Sequence, residues 1–401
     1  MKYAVILCDG MADYPIPALD GKTPLQVAKK PNMDALAARG KVGLCRTVPF
    51  GMKPGSDVAN LSVMGYDPKI YYTGRSPLEA VSIGIDLKPT DTTLRANLVT
   101  LSEGGAYEDK TMVDYSAGEI HTEDARMLIE YLKPHLENER YKLYAGVSYR
   151  HCLVIDNGKI GNDLTPPHDI SDKPVTNHLP KGIYAEELLA LMKKSNELLS
   201  AHPYNVQRVK EGKRPANSLW FWGEGTKPML TAFEELRGLK GGVISAVDLI
   251  RGVGILADMK VIEVPNITGN YTTNFQGKAD ACADALLGGL DFVYLHMEAP
   301  DECGHQGDLE HKIWSIEEID RVVIKTVVEK LRAAGEDFTI LVAPDHPTPI
   351  AIKTHCSDPV PFLIYRSNAE NNNEFSYDEE GAKNSGIFVE SGVDLMKEFL
   401  A

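Results

Sequence analysis

Three aspartates, three histidines and one serine in this 401-residue chain occupy places where such side chains do chemistry. Asp345 and His346 follow the apolar run Ile340–Ala343, which reads as a buried strand of a parallel sheet, and His355 comes shortly after. Pro347 and Pro349 keep the chain between them extended. Asp301 and His305, spaced Asp-x-x-x-His behind a second apolar run, share one face if they open a helix. Gly304 between them predicts a close approach of backbone. Asp9 and Gly10 end the apolar stretch Tyr3–Cys8. Ser56 follows a Pro-Gly break, at the start of a helix predicted from the spacing of Val58, Leu61 and Met64. Each motif alone has a plainer reading: a turn aspartate, a surface histidine, a helix N-cap. Together they suffice to hold two divalent metal ions. Such a pair activates an oxygen nucleophile and clamps the attacking and leaving oxygens of a phosphoryl transfer. The mixed carboxylate and imidazole donors point to manganese, with zinc and magnesium as alternatives.

These residues need a scaffold that brings strand ends together, and the chain supplies one. Residues 3–8, 42–48, 291–298 and 339–343 read as strands, 313–333 as a helix, and 241–265 as strand, helix, strand. In open α/β sheets ligands gather at the carboxyl ends of strands, where Asp9, Asp301 and Asp345 fall. The alternation breaks over residues 92–214. That stretch carries its own strands (94–101, 142–155) and amphipathic helices (124–137, 185–202), and reads as an inserted α+β domain. Residues 1–91 and 215–401 then form the core, with Ser218–Gly225 expected to resume the main sheet. Gly223-x-Gly225 lacks the further spacing of a dinucleotide loop, so that function is set aside.

The net charge of −15 argues against nucleic acid and anionic membranes as partners. It leaves room for an anionic substrate, because bound divalent ions invert the local field. Six scattered cysteines without a C-x-x-C pair read as reduced thiols of a cytoplasmic protein. No apolar run approaches the ~20 residues that span a bilayer, and the start reads as a strand rather than a signal peptide.

The motifs ILCDGMAD, PGSDVANLSVMGYDP, TGRSPLEA, GVSYRH, EAPDECGH, PDHPTPI and THCSDPVPF extend over nearly the whole chain. They resemble those of the cofactor-independent (2,3-bisphosphoglycerate-independent) phosphoglycerate mutases, in their archaeal-type branch, within the alkaline phosphatase superfamily. The resemblance implies a doubly wound α/β core with an inserted cap. It implies Ser56 as a nucleophile that becomes phosphoserine. Asp9, Ser56, Asp345 and His346 would hold one metal, and Asp301, His305 and His355 the other. Arg95, Arg150, His151 and Arg208 are the cap residues expected to meet substrate, and Lys278 is a further expectation. The implied substrate is a small phosphorylated hydroxy acid. Glu119, after Ser116-Ala117-Gly118, departs from the less acidic residue expected there. Two other activities use the same core: a homoserine kinase-like phosphotransferase of threonine biosynthesis, and a metal-dependent phosphomonoesterase. Neither a P-loop nor a kinase glycine-rich loop is present.

Overall fold

The computed structural model describes residues 1–401. It divides into two compact units, one formed by Met1–Tyr72 with Leu230–Ala401 and the other by Thr73–Met229.

The first unit is built on an eight-stranded sheet. Its order is Lys260–Val261, Gly241–Ile244, Phe292–Met297, Lys2–Cys8, Phe338–Ala343, Val360–Arg366, Lys41–Cys45 and Phe388–Val389. Lys2–Cys8 lies at its centre, parallel to both neighbours. Ala4 to Cys8 are wholly inaccessible, as an uninterrupted apolar strand covered on both faces must be. Only Val360–Arg366 runs antiparallel to its neighbours. Both edges end in strands of two residues, which limits the unpaired backbone open to another chain. Because the three central strands are parallel, Asp9, Glu298 and Asp345 all emerge at the same end of the sheet.

The expected helix at 313–333 comprises Leu309–Glu318 and Lys325–Ala333, joined by a π-helical segment, Ile319–Ile324. Inside that segment the buried Asp320 accepts hydrogen bonds from the Asn32 and Met33 backbone N–H groups, at 3.2 and 2.6 Å. It thereby satisfies donors at the start of the helix Pro31–Ala37, whose N-cap Lys30 supplies no side-chain bond.

The second unit has its own sheet. Thr92–Leu101 pairs antiparallel with Met112–Asp114 and Arg150–Ile155 along one edge and with Ser218–Thr226 along the other. Tyr141–Tyr144 completes it as a hairpin with Arg150–Ile155. The helices Thr122–Leu136 and Ala185–Ser200 bury Leu128, Leu132, Leu188 and Met192 against one face. Ser218–Gly225 therefore does not resume the main sheet: it pairs antiparallel with Thr93–Val99, with a shift of register between Thr93 and Arg95. The helix Ser76–Ser82 also belongs to this unit, its Ser76 Oγ donating to the Thr93 carbonyl at 3.0 Å.

Candidate active site

Asp9, Ser56, Asp301, His305, Asp345, His346 and His355 converge at the carboxyl end of the eight-stranded sheet. Two overlapping donor groups form there: Asp9 with Asp345 and His346, and Asp301 with His346 and His355. Within each group the ligand atoms lie inside 4.8 Å of one another. His346 Nε2 is 3.3 Å from Asp345 Oδ2 and 3.6 Å from Asp9 Oδ1. Asp301 is 3.3 Å from His305 Nε2 through Oδ2 and 3.4 Å from His355 Nε2 through Oδ1. His305 Nε2 and His355 Nε2 are themselves 2.9 Å apart. Ligands about 2.1 Å from a common ion sit about 3 to 3.5 Å from one another, which is the spacing found. Asp9 Oδ1 is buried and meets no donor. The residues present thus fit divalent cations: three carboxylates meet in one place, and one carboxylate oxygen is left for a positive charge.

Backbone geometry makes this packing feasible. Gly10 has φ +61°, and a Cβ there would stand 2.6 Å from Asp301 Oδ1 and Thr348 Oγ1. A Cβ on Gly304 would press on the carbonyl of Thr348, so the close approach predicted for that glycine is present. Asp301 and His305 do lie one turn apart on the helix Ala299–Gln306.

The groups that orient the ligands were not legible as such in the sequence. Thr348 Oγ1 donates to Asp301 Oδ1. Asn60 Nδ2 donates to Asp345 Oδ2 at 2.8 Å, while its own Oδ1 accepts from the buried Tyr294 hydroxyl at 2.6 Å. Gly10 N donates to Asp345 Oδ1 at 3.2 Å. Burial, with the charges of Asp345 and Asp301, pushes Asp9 well above the usual carboxylate range. Burial pushes Asp301 the same way, but bonds from His305 and His355 outweigh it and hold Asp301 well below that range.

Ser56 is the first helical residue of Ser56–Val63, and the N-cap is Gly55, which makes no side-chain bond. The serine hydroxyl is therefore not spent on its own helix. Its Oγ stands 3.2 Å from His346 Nε2.

The residues expected to meet substrate separate into two kinds. In the second unit Arg95 and Arg150 share one face of the sheet, since Arg95 pairs with Cys152 and Asn97 with Arg150. Arg95 Nε lies 2.9 Å from Glu79 Oε2, and its guanidinium stacks 4.1 Å from the Trp222 ring. Arg75 Nε donates to Glu79 Oε1 at 2.9 Å. Burial lowers the Arg95 pKa to about 10, with Glu79 opposing the shift and Arg75 and Arg150 adding to it. A cluster of cations exceeding its carboxylate is suited to an anion. Arg75 and Glu79 were missed individually, although both fall inside the TGRSPLEA motif.

His151, Arg208 and Lys278 are placed otherwise than expected. His151 projects from the opposite face of that sheet, opposite Ala96, and is buried. Its Nδ1 accepts from the Gly146 N–H at 3.1 Å. Arg208 bonds the Ala117 carbonyl, the Arg214 carbonyl and the Tyr204 hydroxyl at 2.8 to 3.1 Å. It thus pins the turn in which Ala117, Gly118 and Glu119 all adopt positive φ. Lys278 is fully buried and paired with Glu298 in the first unit. Its helix buries Phe275, Ala279, Cys282 and Leu286, and Lys278 lies within that inward stripe.

Comparison with known proteins bears on this site. The sequence pattern of the family described as 2,3-bisphosphoglycerate-independent phosphoglycerate mutase matches residues 37–205. The chain is 50% identical over 401 residues, the whole of both chains, to a probable mutase of that description from Geobacter sulfurreducens. It is 48% identical to one from Methanosarcina acetivorans, over 99% of this chain and 98% of the other. Among solved structures it resembles a Pyrococcus horikoshii protein with TM-score 0.83 and 30% identity, covering 100% of this chain and 96% of that one. It also resembles the cofactor-independent phosphoglycerate mutase of Thermoplasma acidophilum, with TM-score 0.66 and 27% identity, covering 100% and 99%.

Proposed function

The chain belongs to the 2,3-bisphosphoglycerate-independent phosphoglycerate mutase family, and from that premise we propose that it interconverts 3-phosphoglycerate and 2-phosphoglycerate through a phosphoserine at Ser56. The observation carrying this reading is the placement of Ser56 Oγ against His346, among two groups of metal-fitting donors. Asp9, Ser56, Asp345 and His346 would hold one divalent ion, and Asp301, His305 and His355 a second, with manganese the ion best matched to the donors. When bound, such ions supply positive charge to the serine oxygen and to the transferring phosphoryl group.

The steps fall to the chain and its substrate. Ser56 Oγ gives up its proton and forms a bond to phosphorus as the bond from phosphorus to the glycerate oxygen breaks, and that oxygen takes a proton to become a hydroxyl. The other hydroxyl of the same glycerate then loses its proton and attacks the phosphoserine, the bond from Ser56 Oγ to phosphorus breaks, and Oγ regains a proton. Glycerate must stay bound between the two transfers, or the outcome is hydrolysis. Within the second unit, 73–229, Arg95 and Arg150 are the groups suited by charge to a carboxylate.

The homoserine kinase-like alternative is not favoured, since relatives near 50% identity over the full chain are named as mutases. The test is to assay metal-loaded protein on 3-phosphoglycerate and, side by side, on homoserine with ATP. Acid-quenched enzyme is then searched for phosphate on Ser56. Conversion to 2-phosphoglycerate with a phosphorylated Ser56 peptide is expected. Phosphohomoserine without mutase turnover would overturn the reading.

A further inference from the structure

We infer that Lys278, Glu298 and His296 form a buried relay that sets the Asp9 carboxylate and thereby governs the affinity of the ion held by Asp9, Asp345 and His346. The inference rests on the two-metal reading above and concerns residues outside the ligand set.

The three side chains lie behind the site with almost no exposure: His296 and Lys278 are 0% accessible and Glu298 3%. Lys278 Nζ donates to the His296 carbonyl at 2.9 Å and pairs with Glu298 Oε2. Glu298 Oε1 accepts from the Ala246 N–H at 2.7 Å and from Ser245 Oγ at 3.2 Å. The same oxygen lies 3.3 Å from His296 Nδ1, which also stands 3.1 Å from Ser245 Oγ. On the far side of the ring, Nε2 stands at ion-pair distance from Asp9 Oδ2, 3.1 Å, without hydrogen-bond alignment, and has no hydrogen-bond partner elsewhere. The imidazole edge thus faces one oxygen of the Asp9 carboxylate. Its other oxygen, without a donor, faces Asp345 and His346.

Packing alone does not account for this arrangement. A buried lysine–glutamate pair carries a desolvation penalty that apolar residues of equal volume avoid. His296 and Glu298 are two residues apart at the end of the strand Phe292–Met297, so they project to the same side, with Lys278 beside them. The chain of contacts leads to one residue of the donor set and ends there. A carboxylate held by one oxygen presents the other in a single orientation, and partners of this kind change metal affinity by about 10–100-fold when removed.

The test titrates Mn²⁺ into metal-free full-length protein, with free Mn²⁺ read by electron paramagnetic resonance and folding checked by circular dichroism. Wild type is compared with Glu298→Gln, His296→Leu and the double variant Lys278→Met/Glu298→Gln. The double variant removes both buried charges together, so neither is left uncompensated. Wild type is expected to take up two ions. The folded variants should retain one site at wild-type affinity and weaken the other by about 10–100-fold. Two sites of unchanged affinity in folded Glu298→Gln or in the double variant would overturn the relay. Fewer than two ions on wild type would instead overturn the two-metal reading on which it rests.

Discussion

Ser56 Oγ and His346 Nε2 stand 3.2 Å apart across 290 positions of the chain. The contact joins the first turn of one helix to the loop after the strand Phe338–Ala343, and no capping bond competes for the hydroxyl. Ser56→Ala is therefore expected to shift stability by no more than about 0.5 kcal/mol, below the ~1 kcal/mol that a lost N-cap costs. Turnover should fall by about three orders of magnitude or more. Thermal melts and turnover measured on the same preparation check this. Near-normal turnover removes the nucleophile role.

Removal of divalent ions should abolish activity and lower the melting temperature together. Asp9 and Asp345 are buried and Asp301 half-buried, and His346 belongs to the donor groups of all three. Ions that bind the folded chain and not the unfolded one stabilise it by mass action, about 2.7 kcal/mol at a hundred times Kd. Exhaustive chelation followed by stepwise Mn²⁺ addition, with melting and turnover read at each step, tests the coupling. Full activity after chelation would count against any metal role.

Arg95 and Arg208 should behave differently despite their shared charge. Arg95 combines an ion pair to Glu79 with a stack on Trp222, a geometry that lysine cannot reproduce. Arg95→Lys is expected to raise KM by about 10–100-fold, the range for losing one charged hydrogen bond of about 1.5–3 kcal/mol. Arg208→Ala should leave KM near wild type and lower stability, since its bonds pin the Ala117–Glu119 turn. Steady-state kinetics and urea unfolding on both variants separate the two roles.

His151 gives the protein a pH dependence of defined sign. Burial, and then the charge of Arg150, push its pKa down to about 3, whereas an unfolded histidine titrates near about 6.5. As pH falls, the unfolded chain takes up the proton first, so this contribution is complete above about pH 6.5 and is lost progressively towards about pH 3. Within that window the slope approaches about 1.4 kcal/mol per pH unit for one proton. His151→Gln should flatten the stability decline between about pH 7 and about pH 5 relative to wild type, with KM unchanged. A parallel decline in both proteins, or a large rise in KM, would contradict the placement of His151 on the core face.

The sequence carried more of the donor cluster than of the second unit, for physical reasons. Asp9, Asp301 and Asp345 were legible because each ends an apolar run, and parallel strands deliver their ends to one place. Ser218–Thr226 has the same local pattern as a strand of the main sheet, and pattern alone does not name a partner. Its pairing with Thr92–Leu101 is a long-range choice. His151 and its neighbour Arg150 read alike in the sequence, yet alternation along a strand sends adjacent residues to opposite faces. Lys278 had a usable signal, since it falls in the inward stripe with Phe275, Cys282 and Leu286. His296 and Glu298 had one too: a strand otherwise apolar, Phe292–Met297, carries a histidine and is followed by a glutamate, both buried.

The nesting of one unit inside the other also sets an order of events during synthesis. Lys2–Cys8, among the first residues to leave the ribosome, has as its two neighbours strands that end at Met297 and Ala343. Residues 73–229, by contrast, have all their sheet partners among themselves and are made much earlier. The insert is therefore expected to fold while the strand that will become the centre of the other sheet still waits. Brief proteolysis of chains stalled near residue 260 should leave a protected fragment spanning 73–229 and digest what precedes it. Ser56 would then meet His346 only when nearly the whole chain exists.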